Sequence, residues 1–172
     1  MVEVTFTPCP EDYVAVQRTM FARSLRSRKF IGRTAGLLAF IGVGAMAIPF
    51  LVDGTASSAL LPVPVAAMGA LAIIIGGNWL LLPRRARRLF MQQKTLHHEH
   101  RTMFDASGFR QASVRAEIAL PWGELLGWHL GRDVLLLYSN DHLAYFIPVR
   151  AFGPEQLAQV EAVLMQANLP RR

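Results

Sequence analysis

Two long stretches of this chain carry no charge. Residues 35–52 read AGLLAFIGVGAMAIPFLV, and residues 59–82 read ALLPVPVAAMGALAIIIGGNWLLL. A helix needs about 20 apolar residues to cross a bilayer core of roughly 30 Å. Both runs meet that length, and the rest of the chain is too short to wrap two such helices on every side. The polar, turn-rich DGTASS at residues 53–58 separates them, so the pattern predicts a tight transmembrane hairpin. Pro62 and Pro64 fall in the first turns of the second span, where a missing N–H costs little. Helices associate in lipid through small residues. Gly32, Gly36, Gly44 and Ala47 offer such positions in the first span, and Ala66, Gly69, Ala70 and Gly76 in the second.

Before the hairpin the period changes. Val2, Val4 and Phe6 alternate with Glu3, Thr5 and Thr7, the pattern of a short strand. Pro10, followed by Glu11 and Asp12, starts a helix that should run towards Arg28, since carboxylates suit a helix N-terminus. Its stripe is Tyr13, Gln17, Met20, Phe21, Ser24 and Leu25, with Arg18, Arg23 and Arg26 largely elsewhere. Such a helix either lies on headgroups or packs its stripe on a folded domain; the pattern leaves both open.

After Lys94 the runs become short alternations broken by turn signals. His98, His100, Thr102 and Phe104 alternate with Glu99, Arg101 and Met103. DASG at 105–108 predicts a hairpin turn with Gly108 at positive φ. Val114, Ala116, Ile118 and Leu120 predict a half-buried strand, and Trp122, Glu124, Leu126, Trp128 and Leu130 another. GRD at 131–133 and SND at 139–141 are turns around the apolar VLLLY, and HLAYFIPV follows as a further strand. Pro154 opens a helix with the stripe Leu157, Val160, Leu164 and Ala167. About five strands in a meander, covered by one amphipathic helix, make a small curled sheet.

The predicted fold is therefore an α+β membrane protein. Residues 1–30 form a strand and a basic helix, residues 31–88 a transmembrane hairpin, and residues 95–169 a small antiparallel sheet or barrel capped by a C-terminal helix. Composition agrees: 52% of residues are hydrophobic, 17% charged, and mean hydropathy is +0.29. Charged residues usually make up roughly 25%.

The net charge of +6 is unevenly placed. Residues 10–94 hold eleven Lys/Arg and three Asp/Glu, whereas residues 96–172 hold seven and eight. A nucleic-acid-binding domain usually carries its own basic face; here the excess flanks apolar spans, which argues against nucleic acid as a partner. Arg18, Arg23, Arg26, Arg28, Lys29 and Arg33 precede the first span, and Arg84, Arg85, Arg87 and Arg88 follow the second. Short cytoplasmic flanks collect Lys and Arg, so both termini are predicted to be cytoplasmic, in a multi-pass inner-membrane protein. Trp79 sits about one turn before the arginines, the depth of an interfacial aromatic anchor. Trp79, Arg84, Arg85, Arg87 and Arg88 are the predicted anchors to an anionic bilayer.

The order TFTPCPEDY, a membrane hairpin, FDASGF, LPWGEL, LLLYSN and AYFIPVRAFGPEQ before a last helix resembles the bacterial YcxB-like membrane proteins. The resemblance spans nearly the whole chain. It implies a C-terminal domain similar to bacterial pleckstrin-homology-like (PH-like) folds, and it brings no catalytic residues.

Candidate chemistry is sparse. The single Cys9 forms no internal disulfide. HHEH at 97–100 puts His98 and His100 on one strand face, short of the three or four ligands zinc needs unless His129 or His142 joins them. Ser139, Asp141 and His142 are neighbours in a turn, but a triad is defined by geometry. Trp122 and Trp128 read as core aromatics. No metal or cofactor is expected. Two classes of function remain: a non-enzymatic membrane protein presenting a cytoplasmic interaction module for lipid headgroups or an unidentified protein, and a membrane enzyme acting on a lipid or small molecule. Polar residues inside the spans mark function, and the spans hold only Asn78, which favours the first. Self-association of the spans is left open.

Overall fold

The computed structural model describes residues 1–53, 62–141 and 143–172. Most of DGTASS, the first residues of the second predicted span, and His142 lie outside that range. The chain forms an α+β structure in two compact units, one built from Met1–Thr19 with Arg84–Arg172 and one from Met20–Pro83.

The first unit contains two antiparallel sheets. Strands β1 (Val2–Phe6), β2 (His100–Phe104), β3 (Gly108–Ser113) and β4 (Glu117–Pro121) form one in the order β1-β2-β3-β4. Strands β5 (Gly127–Leu130), β6 (Val134–Tyr138) and β7 (Ala144–Pro148) form the other. Among the described residues there are thus six strands after the apolar stretches instead of about five, split between two sheets, and the N-terminal strand makes a seventh.

β1 pairs with β2 in the register Val2↔Phe104, Val4↔Thr102 and Phe6↔His100. The alternation read from the sequence sets which side faces in: Val2, Val4 and Phe6 are buried, as are Phe104 and Thr102. Glu3 and Arg101 lie opposite one another and form an ion pair. Both sheets and the last helix, α4 (Gln156–Gln166), fill one core, with Phe104, Phe109, Trp128, Leu135, Leu137, Ile147, Val160 and Leu164 at its centre. All five residues of β6 are buried, which explains why VLLLY shows no alternation.

Several local expectations change. Gly108 is not at positive φ; a Cβ there would stand 2.3 Å from the Leu120 carbonyl oxygen, so close strand approach requires the glycine. The β3–β4 turn falls at Val114, which is 80% exposed, so this residue does not extend a strand. Trp122–Glu124 is a 3₁₀ turn and Leu126 is exposed, so Trp122 and Trp128 reach the core from separate elements. Pro154 precedes α4 by a turn and does not begin it; Gly153 N–H instead bonds the Gln156 side chain at 2.8 Å.

The helices are α1 (Pro10–Arg26), α2 (Arg28–Asp53) and α3 (Pro62–Gln92). α1 stops one residue before α2. Ser27 makes the break, because its hydroxyl accepts the Phe30 N–H at 3.1 Å and so caps the new helix. Within the first unit α1 buries Asp12, Val14 and Val16, and the Tyr13 ring lies 6.3 Å from that of Phe90 in a tilted arrangement, which favours packing on the domain for this end of the helix. Its predicted stripe is at most half-buried.

Among the described residues, one helix is long and apolar enough to cross a membrane: Val65–Gln92, with mean hydropathy 2.0 and no burial of its most apolar window. A Cβ added at Gly32, Gly36, Gly42, Gly44, Gly69, Gly76 or Gly77 would meet nothing within 4 Å. Among the described residues the expected close approach of the spans at these glycines is therefore not present.

Candidate membrane-interface site

α3 continues for ten residues past the last apolar stretch, through Pro83 to Gln92. This continuation resolves the arginine cluster into faces. Ala86 and Phe90, one turn apart, are buried at 2% and 4% exposure, while Arg84, Arg85, Arg87 and Arg88 are exposed. The cluster thus wraps the free faces of a helix whose remaining face packs on protein. Arg87 lies 3.5 Å from Glu11, an exposed pair worth at most about 1 kcal/mol. Trp79 is 39% exposed, with its ring 5.8 Å from that of Phe21.

The head of α2, in the second unit, is basic in its own right. Arg28, Lys29 and Arg33 are exposed there, and the first turn contains no acidic residue. Cations at the positive end of a helix dipole are unfavourable by themselves. An external anion would relieve that.

The segment HHEH does not form one strand. His97 ends a 3₁₀ turn and packs on Phe90 with ring centroids 4.9 Å apart, and β2 begins only at His100. His100 stacks on Phe6 at 5.8 Å, and burial, reinforced by His98, lowers its pKa. His129 engages the Arg172 carbonyl at 2.6 Å. Among the described residues no three His, Cys, Asp or Glu side chains converge on one point. Ser139 donates to the Leu143 carbonyl at 3.4 Å, and its other predicted neighbour, His142, is outside the description. A shallow depression at the start of α4, lined by Gly153, Pro154, Glu155, Gln156 and Gln159, brings together no nucleophile and base.

The best-formed polar cluster joins residues that no sequence pattern links. Asp12, 7% exposed, accepts Arg150 Nε at 3.0 Å, Arg150 Nη2 at 2.6 Å and the Cys9 N–H at 2.8 Å. Arg150 Nη2 also donates to the Thr7 carbonyl at 3.0 Å. Burial pushes the Asp12 carboxyl up, but the Arg150 fork and the Cys9 N–H outweigh it and hold it below the ordinary aspartate range. The cluster ties the start of α1 to the turn after β7. In the sequence Asp12 reads only as a helix-dipole carboxylate, and no periodicity points from it to Arg150.

No family model, no curated protein and no solved structure matches this chain.

Proposed function

We propose that this chain is a non-enzymatic, YcxB-like integral membrane protein that crosses the bacterial cytoplasmic membrane twice and presents a PH-like interaction module to the cytoplasm. One observation carries the topology: β1 pairs with β2. Residues on either side of the apolar stretches can pair only if they lie on the same side of the membrane. The number of crossings between Phe6 and His100 is then even. If α3 crosses, α2 crosses with it.

Its exposed apolar side chains support a lipid environment for α3, with Val65, Ile73 and Leu80 at 70%, 75% and 76% exposure. Phe40 and Val43 of α2, at 77% and 66%, support the same for the first span. The positive flanks orient both ends inward. A four-stranded and a three-stranded sheet around one core, with a C-terminal helix, support a PH-like module. In this reading the exposed arginines of α3 and the basic head of α2 hold anionic headgroups, each near-surface charge contributing about 1 kcal/mol, and the module binds a protein partner.

The topology is tested with Cys9→Ser as background and single cysteines introduced as Thr7→Cys and Ser107→Cys. A membrane-impermeant thiol reagent should label neither in intact cells and both in inverted vesicles. Opposite labelling of the two positions would refute the even number of crossings.

A further inference from the structure

β5 is an edge strand of the three-stranded sheet. Edge strands present unpaired N–H and C=O groups that invite another strand. Here the chain's own residues Leu169–Arg172 occupy that edge. The Trp128 N–H donates to the Pro170 carbonyl at 3.0 Å, and the Arg172 N–H donates to the Trp128 carbonyl at 2.8 Å, making a parallel bridge.

Each residue of the segment meets a matching feature. Leu169 is buried, and its carbonyl accepts the Trp128 indole N–H at 3.1 Å. The Pro170 carbonyl passes over Gly127, where a Cβ would stand 2.5 Å from it; Gly127 also has φ 150°, so two constraints keep this position bare. The Arg171 guanidinium lies 5.0 Å from the Trp128 ring centroid, within cation–π range. Arg172 donates to Asp141 at 3.1 Å, and its carbonyl meets His129. Backbone bonds supply general affinity in strand addition, and side-chain pockets supply selectivity. The pockets here read an apolar residue, any residue, then two cations.

We propose that the β5 edge is a peptide-docking slot closed by Leu169–Arg172, and that its partner is an extended protein segment of Leu-x-Arg-Arg character running parallel to β5. The occupant follows from the chemistry already seated there. The closing segment is displaceable because it is short and faces solvent: Pro170, Arg171 and Arg172 are exposed, and one strand residue receives its bridge. A tethered segment competes at an effective concentration in the millimolar range, so the slot opens only to a partner that is tighter or locally concentrated. This inference rests on the reading of the β unit as an interaction module. It does not depend on which way the membrane hairpin points.

The test uses the full chain in zwitterionic nanodiscs. A fluorescent synthetic peptide repeating residues 164–172 is titrated into the wild type, a chain shortened after Asn168, and the double substitution Arg171→Glu with Arg172→Glu. The double variant keeps Leu169 in place, so the slot remains testable if shortening harms folding. Binding should be saturable and at least ten-fold tighter to both altered chains than to the wild type, and a peptide with both arginines replaced by glutamate should lose it. Absence of binding to an altered chain whose β6 amides stay protected from exchange would sink the proposal, as would equal binding to all three. Concentration-dependent dimerisation of the wild type through exchanged segments, with no binding of free peptide, would also overturn it. A partner captured from membranes equally by wild type and by Asp141→Lys would preserve the module reading while removing the slot.

Discussion

Asp12 and Arg150, 138 positions apart in sequence, face each other through two hydrogen bonds. The carboxylate is buried and its partner is about half exposed. Removing the carboxylate leaves the Cys9 N–H and the Thr7 corner without their tie, while Arg150 can turn to water. Asp12→Ala should therefore cost about 2–3 kcal/mol, the range for a charge-assisted hydrogen-bond cluster. Asp12→Asn should lose less. Denaturant unfolding of the purified protein checks both, and equal stability of wild type and Asp12→Ala would show the contact to be idle.

The same pair sets an acid limit. The Asp12 pKa is lower in the folded chain than in the unfolded one. Its stabilising contribution is present in full above the ordinary aspartate value, about 3.9. The contribution is lost as pH falls through the depressed folded value. The stability gap between wild type and Asp12→Asn should stay constant from neutral pH to about 5 and shrink below about 4. A gap that widens on acidification would reverse the sign.

Two glycines separate space from conformation. A Cβ at Gly108 would strike the Leu120 backbone, whereas one at Gly123 would meet nothing within 4 Å, and neither residue has positive φ. Gly108→Ala should destabilise by about 1–3 kcal/mol through forced backbone movement. Gly123→Ala should stay within about 0.5 kcal/mol. Thermal unfolding followed by tryptophan fluorescence distinguishes them.

Replacing Arg84, Arg85, Arg87 and Arg88 with glutamine should lower the ratio of anionic to zwitterionic lipid retained on purification, with no change in the exchange protection of β6. Arg87→Gln alone should have a smaller effect than Arg84→Gln or Arg88→Gln, because Glu11 already holds that side chain. An unchanged lipid ratio in the fourfold variant would remove the anchoring role.

Legibility followed period. Val2, Val4 and Phe6 alternate because one face of β1 is buried, and a lone strand with that pattern needs an edge to join, which β2 provides. VLLLY was readable because a fully buried strand has no solvent side. The misreadings occur where alternation continues past the end of an element. Val114 keeps the apolar beat of β4 but stands at the turn, and Leu126 keeps the beat of the Trp122 segment after a 3₁₀ turn has shifted the phase. Among the arginines, Ala86 and Phe90 carry a packing face that charge counting hides. Asp12–Arg150 and Trp128–Pro170 were invisible for another reason. They are single contacts between distant segments, and one residue carries no periodicity.

The insertion of both apolar helices between β1 and β2 also has a consequence in time. β1 is made before both apolar helices, yet its partner begins at His100. At roughly 5–20 residues per second, β1 waits on the order of 5–20 seconds for β2 to be synthesised. Throughout that interval Val2, Val4 and Phe6 have no sheet to join, and on the proposed topology the helices that follow would be entering lipid. On the proposed topology the strand would close the sheet only after the second helix had returned the chain to the starting side, so completing the sheet would double as a proofreading step for insertion.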